Sequence, residues 1–144
     1  MIYKTYTPKI SKDTEVKWYL FDAKDKVLGK LASEIAQFLT GKNSPDFSPH
    51  IVPRVRVVVI NSKEISVTGR KESDKKYYRH SRYPGNLKEI SLGKLMEKDG
   101  TSALSLAVKG MLPKNKLRKN YLLNLHIFAD ENHNKSAQKL IKVN

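Results

Sequence analysis

Cationic and aromatic side chains are interleaved between residues 70 and 83. Cations attract phosphate and planar side chains stack on unpaired bases, so this mixture is typical of an RNA-binding surface. Only Glu72 and Asp74 oppose the positive charge there. The alternative is a solvated loop whose tyrosines cover the edge of the domain. The candidate RNA-binding residues of this stretch are Arg70, Lys71, Lys75, Lys76, Tyr77, Tyr78, Arg79, His80 and Arg82.

A second cationic stretch lies in a region without acids, from Gly100 to Ala129. Pro113 suits the first turn of a helix, and Gly110 suits the end of the preceding one. Backbone amides at such a helix start would bind phosphate together with Lys114 and Lys116. The alternative is an exposed amphipathic helix. The candidate RNA-binding residues here are Lys109, Lys114, Lys116, Arg118 and Lys119.

The overall charge supports a polyanionic partner. The 144 residues include 28 Lys and Arg against 14 Asp and Glu, a formal net charge of +14. Self-repulsion on this scale opposes folding, which favours a nucleic-acid partner. Lysines outnumber arginines 22 to 6, and lysine acts as a point charge on phosphate while arginine more often reads guanine. A third, smaller patch consists of Arg54 and Arg56, and we count both among the candidate RNA-binding residues.

No pattern in the sequence predicts catalysis, a metal site or a cofactor. The chain has no cysteine, which excludes disulfides, thiolate metal sites and cysteine nucleophiles. Gly29-Lys30 lacks the remaining residues of a phosphate-binding loop, and the four histidines lack zinc-ligand spacing. Asp130 and Glu131 could do acid–base chemistry, but adjacent carboxylates are more often solvated charges. We therefore expect a protein that is not an enzyme.

The sequence also shows no pattern that predicts a membrane helix or a signal peptide. The longest aliphatic run, Val57 to Ile60, is far shorter than the roughly 20 residues of a membrane helix. The polar N-terminus lacks the apolar core of a signal peptide. We therefore expect a soluble intracellular protein with no membrane partner.

The first half of the chain predicts a strand–helix–strand unit. Trp18 to Phe21 is a short apolar run typical of a buried strand. A helical period follows, with Asp25 as a candidate N-cap and Gly41 as a terminator. After a proline-rich loop over 43–53, Val55 to Ile60 predicts a central strand covered on both faces. The apolar positions of the predicted helix are Leu28, Leu31, Ala32, Ile35, Ala36 and Leu39.

The remaining elements complete the predicted fold. Ile65 and Val67 alternate as in a short strand, residues 70–90 are polar with a turn at Pro84-Gly85, and a last strand is predicted over Leu122 to Ala129. Between them, apolar positions predict two helices, one with Leu92, Leu95 and Met96 and one from Leu104 to Met111. The predicted fold class is α/β: a single domain over residues 17–144, with a mostly parallel four-stranded sheet flanked by helices and with basic loop extensions. Residues 1–16 are predicted to form an N-terminal arm.

Seven short runs, spread from Lys17 to Gln138, match one protein family in order and spacing. The run Lys-Gly-Met-Leu-Pro-Lys at 109–114 is the most specific. The runs are Trp18–Ala23, Leu28–Ser33, Val58–Asn61, Val67–Gly69, Tyr77–Ser81, Val108–Lys114 and Ala137–Gln138. The chain resembles the bacterial uL13 family, the L13 proteins of the large ribosomal subunit.

The resemblance carries functional expectations. It implies a structural protein of the cytoplasmic ribosome, without cofactor or catalysis, that binds large-subunit (23S-type) rRNA, supports assembly and lies beside other large-subunit proteins. Both cationic stretches coincide with the family's RNA-facing motifs. The alternative is a regulatory RNA-binding protein that acts on an mRNA leader off the ribosome, because the same cations would serve both roles.

The chain departs from the family pattern at several loops. The family usually has an Asp-x-Gly-Asp loop before the central strand, where this chain has Ile51–Arg56. Glycines are replaced at Arg82 and Asn86, and Asn115–Arg118 stands in place of a Gly-x-Leu-Gly run. Because Arg54 and Arg56 add charge that the family lacks, we expect them to contact rRNA or a neighbouring protein.

Overall fold

The structure is a computed structural model and describes residues 15–143. The predicted N-terminal arm therefore lies outside the described residues except for its last two. In chain order the strands and α-helices are β1 (Lys17–Asp22), α1 (Leu28–Thr40), β2 (Val55–Ile60), α2 (Lys71–Asp74), β3 (Lys76–His80), β4 (Leu87–Ser91), α3 (Leu92–Lys98), α4 (Gly100–Met111), α5 (Arg118–Leu123), β5 (Leu125–Ile127) and β6 (Leu140–Val143).

A run of β-branched residues forms the centre of a parallel sheet. β2 pairs with β1 from Lys17 opposite Val55 to Asp22 opposite Ile60, and it pairs in parallel with β5 on its other side. The sheet order is β5-β2-β1-β6. Val57, Val58 and Val59 all have 0% exposure, because successive side chains point to opposite faces and both faces are covered. The predicted fold class and the doubly covered central strand are confirmed.

The fourth strand is not the one that the sequence predicts. Ile65 and Val67 do not form a strand. The residue between them, Ser66, makes only an isolated β-bridge to Val27, in the turn before α1. β6 takes the edge position instead and pairs in parallel with β1. Its strand character depends on that pairing, because four residues with an exposed Lys142 give little periodicity of their own.

The predicted helix forms, but its start differs from the prediction. All six predicted apolar positions of α1 are buried. Asp25 is not the N-cap: it has a φ of 56°, and the N-cap is Val27, which makes no side-chain capping bond. The amide of Leu28 instead donates to the carbonyl of Ser66 at 3.0 Å.

Gly41 ends α1, as predicted. Its φ is 78°, in the left-handed region, and its amide donates to the carbonyl of Phe38 at 3.1 Å. A Cβ at this position would lie 3.1 Å from the ring of Pro53. Both the backbone angle and the close approach of the proline therefore favour glycine.

The helices pack on one face of the sheet. Their buried residues form one cluster with Phe21, Val57 and Val59. The opposite face buries Trp18, Leu20, Val58 and Ile60, with Phe128 and Leu140 packed against them. Within residues 15–143, no helical residue belongs to this second buried cluster. We call this surface the helix-free face.

The C-terminal half contains both confirmed and corrected elements. The two helices predicted around Leu92 and Leu104 are α3 and α4. The last predicted strand was too long: Leu122 and Leu123 belong to α5, and β5 covers Leu125–Ile127. Residues 70–90 form more than a loop, since β3 and β4 pair as an antiparallel hairpin. The predicted turn at Pro84-Gly85 is present, with a φ of 73° at Gly85.

Asp99 joins α3 to α4 as a helix cap. Its carboxylate accepts from the amide of Thr101 at 3.0 Å and from the hydroxyls of Thr101 and Ser102. The hydrogen bonds from the Ser102 side chain and then the Thr101 side chain lower the pKa of Asp99 from 3.8 to about 2. The next residue, Gly100, lies against the backbone of Lys63. A Cβ added at Gly100 would be 3.2 Å from the Cα of Lys63, so the close approach favours glycine.

Replacing Asp99 with alanine should lower the free energy of unfolding by about 1 kcal/mol at pH 7, the usual effect of losing an N-cap. The folded-state pKa is depressed, so the contribution is present above pH 3.8 and is lost as the pH falls toward about 2. Chemical denaturation of wild type and Asp99→Ala from pH 2 to pH 7 checks this. A stability difference that stays constant down to pH 2 would contradict it.

Candidate nucleic-acid interface

The first candidate site is the hairpin segment, which we define as residues 70–91. Its strands fix which side chains share a face: Tyr77 lies opposite Ile90 and Arg79 opposite Lys88 on one side. The Tyr77 ring packs against the main core cluster, and its hydroxyl is buried with no hydrogen-bond partner. Tyr77 therefore anchors the hairpin to the domain, a structural role that the sequence does not distinguish from RNA contact.

The outer side of the hairpin exposes an aromatic ring beside charged groups. Tyr78 is 62% exposed and lies opposite Glu89 of β4. Leu87, two residues before Glu89, is on the same side and is 59% exposed. Lys76 shares this side and pairs with Glu89 at 3.2 Å. Tyr83, in the turn, is 75% exposed. Rings left in solvent next to cations are available for stacking on bases.

Two like charges lie directly opposite each other on the hairpin. Arg79 on β3 faces Lys88 on β4, and both are exposed. Neither forms an ion pair within the part of the chain that the structure describes. Directly opposed like charges destabilise an antiparallel pair by roughly 0.2–1 kcal/mol. The free protein therefore holds a positive pair that lacks a counter-charge.

The other predicted residues of the hairpin segment have local roles. The ammonium of Lys75 lies 5.4 Å from the ring centroid of Tyr77, and that of Lys71 donates to the hydroxyl of Thr68 at 3.4 Å. Nδ1 of His80 accepts from the amide of Arg82 at 2.9 Å, and Arg82 has a φ of 66°. The side chains of Lys71, Lys75, His80 and Arg82 remain exposed, as does that of Arg70.

The second candidate site is the lysine-rich segment, which we define as residues 109–119. Its predicted helix start is wrong: α4 continues through Gly110 to Met111, and Pro113 precedes α5 by five positions, since α5 begins at Arg118. The segment between the two helices is a loop. No helix N-terminus therefore lies at Pro113 to present backbone amides to a phosphate, and the predicted role of Lys114 and Lys116 stays a prediction.

Arg118 holds the loop in shape. Its guanidinium donates to the carbonyls of Pro113 at 3.0 Å and Leu112 at 3.3 Å. Part of its donor capacity is therefore used within the fold. Four lysines of the segment are exposed and make no ion pair within residues 15–143, namely Lys109, Lys114, Lys116 and Lys119.

Arg54 and Arg56 lie apart from these segments, in and just before β2. Arg56 belongs to β2 of the four-stranded sheet and Arg54 immediately precedes that strand, while the hairpin forms a separate two-stranded sheet. The guanidinium of Arg56 lies 4.9 Å from the ring centroid of Trp18. Arg54 is half-buried, and its carbonyl accepts from the amide of Lys17 at 3.0 Å.

Lys88 is the residue that sequence reasoning missed. Nothing in its neighbourhood marks it, because it follows a turn in a polar stretch and is flanked by Leu87 and Glu89. Its importance comes from the register that sets it against Arg79. A hairpin prediction from the Pro84-Gly85 turn and the flanking β-formers could have found it.

The described residues, from 15 to 143, offer no cluster of three or more His, Asp or Glu side chains that could hold a metal ion. Burial lowers the pKa of the half-buried His126, with further lowering by Lys135 and Arg56, which favours the neutral form of its ring. Across the same residues, no helix has the length and apolarity needed to cross a membrane.

Comparison with known proteins gives one consistent family. The ribosomal protein L13 family matches residues 16–134. Three similar proteins are named large ribosomal subunit protein uL13. That of Syntrophus aciditrophicus is 47% identical over 94% of both chains. That of Pelobacter propionicus is 48% identical, and that of Burkholderia pseudomallei 46%, each over 94% of this chain and 95% of its own.

These matches confirm the resemblance seen in the short sequence runs. They span both candidate segments and nearly the whole described domain. They also agree with the expectation of a ribosomal, non-catalytic protein. The chain belongs to the ribosomal protein L13 family, a family of structural components of the ribosome rather than enzymes.

Proposed function

We propose that this protein binds large-subunit rRNA through the hairpin segment and the lysine-rich segment, and that it supports assembly of the large subunit in the cytoplasm. The observation that carries the proposal is the uncompensated positive pair of Arg79 and Lys88 on a fixed hairpin. A polyanion that binds there supplies the missing counter-charge. Because the relatives are named as large-subunit proteins, we infer that this polyanion is large-subunit rRNA.

The lysine-rich segment supports the same partner by a different geometry. Its four free lysines extend from a loop that Arg118 holds by two hydrogen bonds to backbone carbonyls. Lysine ammonium groups interact with phosphates as point charges and carry little sequence information. We infer that this segment fixes the position of an RNA backbone and does not read bases.

The hairpin segment adds stacking to charge. Tyr78 presents most of its ring to solvent, on a strand that Tyr77 anchors to the core. Because the strand that carries Tyr78 is already ordered, stacking of a base on the ring costs less entropy than it would on a flexible loop. The hairpin therefore suits an unpaired or looped RNA region, where bases are free to stack.

Neighbouring large-subunit proteins are further partners in this proposal. The mRNA-leader alternative would use the same cations, and no described feature favours it.

Replacing Lys114 and Lys116 with alanine should weaken rRNA binding and flatten its dependence on salt. Each lost phosphate contact should reduce the slope of log K against log salt by about 0.7–0.9. Filter binding of the isolated protein to an rRNA transcript, measured over a range of salt concentrations, gives the slope. The control is Lys30→Ala with Lys42→Ala, which removes the same charge from exposed positions on and beside α1. Equal slope changes in both double variants would mean that Lys114 and Lys116 act through net charge alone.

The two neighbouring tyrosines should separate binding from stability. Tyr78→Ala should cost about 1–3 kcal/mol of RNA affinity through lost stacking, with little change in unfolding. Tyr77→Phe should keep RNA affinity and raise the free energy of unfolding by about 1–2 kcal/mol, since it removes a buried hydroxyl without a partner. Binding isotherms and denaturation curves of both variants check this. Loss of stability without loss of affinity in Tyr78→Ala would rule out a stacking role.

A further inference from the structure

A stacked group on the helix-free face has no role in the sites described above. Arg56 lies opposite Trp18 in the register of β2 and β1, with its guanidinium carbon 4.9 Å from the centroid of the indole. His126 of β5 also stacks on Trp18, with ring centroids 5.9 Å apart and ring planes 21° apart. Three neighbouring strands thus contribute one side chain each to a single stack.

Arg56 is held in place while its donors stay unused. The side chain is exposed, and it makes no hydrogen bond or ion pair with any residue from 15 to 143. Stacking on an aromatic ring orients the planar guanidinium and leaves its N–H edge free for an acceptor. Phosphate oxygens match that edge in a bidentate geometry. An arginine fixed before binding also loses less conformational entropy when the acceptor arrives.

The surroundings of the stack are positive. The amide of Lys135 donates to Nδ1 of His133 at 3.3 Å, and the His133 ring centroid lies 6.1 Å from that of Phe128, which packs on the helix-free face. Burial first, and then Lys135 and Arg56, lower the pKa of the His126 imidazole. The His126 ring is therefore neutral at pH 7, and the positive charge belongs to Arg56 and Lys135. Asp22 and Glu131 line a crevice where β1 and β2 finish, and Ser136 and the cationic Lys142 line the same crevice.

We propose that Arg56 and Lys135 form an additional RNA-contact surface on the helix-free face, which takes the phosphate backbone of an RNA strand. This inference rests on the proposed rRNA-binding function and extends it to the face opposite the helices. Charge complementarity and the free guanidinium edge favour phosphate over a protein neighbour. Trp18 acts as a positioning residue, because its ring holds the guanidinium of Arg56, while His126 stacks on Trp18 and does not itself hold Arg56.

Tethered hydroxyl-radical probing tests where the RNA lies. Because the chain has no cysteine, a single introduced cysteine carries Fe(II)–EDTA at one position. Ser136→Cys reports on the helix-free face beside Lys135, Asn86→Cys on the hairpin turn, and Gln37→Cys on α1 sets the background; all three positions are exposed. The probe is a full-length 23S-type rRNA transcript. We expect cleavage above background from positions 136 and 86, at different nucleotides.

The outcomes distinguish this inference from the proposed function. Cleavage from position 86 with position 136 at background overturns the helix-free surface and leaves the hairpin proposal standing. Background cleavage from both positions, together with no binding, overturns the proposed function itself. Cleavage from position 136 supports the additional surface.

Affinity measurements on Arg56 give an independent readout. Arg56→Gln should reduce the slope of log K against log salt by about 0.7–0.9, one phosphate contact, and Arg56→Lys should restore the slope because it restores the charge. Lys30→Gln, which removes an equal charge from α1, should leave the slope unchanged. Thermal unfolding of each variant shows that it is folded. A wild-type slope in Arg56→Gln, or an equal change in Lys30→Gln, overturns the proposal.

Discussion

The burial of β2 on both faces holds together a domain that its own charge opposes. Val57 and Val59 pack under the helices and Val58 packs on the helix-free face, all without exposure. Each fully buried valine contributes about 1.5–3 kcal/mol through the hydrophobic effect. This stabilisation offsets the repulsion among the cations of a chain with a net charge of +14. The hairpin segment and the lysine-rich segment depend on it, because most of their residues are exposed.

Three groups of cations in this protein lie on ordered supports and include charges that no carboxylate neutralises within residues 15–143. The hairpin is anchored through Tyr77, the lysine-rich loop through Arg118, and the Arg56 guanidinium through Trp18. In each case an aromatic ring or a hydrogen bond positions a positive group while its charge stays unpaired. Such an arrangement reduces the stability of the free protein, and binding of a polyanion restores it by mass action. Unpaired positive charge on ordered supports therefore favours a polyanionic partner, as the proposed rRNA binding requires.

The sequence predicted elements whose pattern is local and missed those that depend on pairing. The apolar positions of α1 and the valines of β2 carry a strong period, so both elements were predicted correctly. The prediction that Asp25 caps α1 was wrong. The helix begins after Val27 instead, where Val27 pairs with Ser66, 39 positions away in the chain. β6 was missed because it becomes a strand through pairing with β1. Local composition therefore identified the core, while long-range contacts decided the edges of the sheet.

The same distinction applies to the candidate site. Clusters of charge in the sequence identified the hairpin and lysine-rich segments, because composition is visible without structure. The roles within them were not visible: Tyr77 is an anchor, Arg118 is partly used by the fold, and Lys88 matters through its cross-strand partner. Which cations remain unpaired depends on register and on contacts across the fold.

Charge reversal at Lys88 shows whether the unpaired charge of the hairpin serves RNA binding at the expense of stability. Lys88→Glu should raise the free energy of unfolding, because Arg79 gains an ion pair in place of a like charge. The same change should weaken rRNA binding. It should also reduce the slope of log K against log salt by about 0.7–0.9 or more, the value for one lost phosphate contact. Lys94→Glu, an equal reversal at an exposed position of α3, serves as the control. A Lys88→Glu variant that gains stability and keeps wild-type affinity for rRNA would contradict the account.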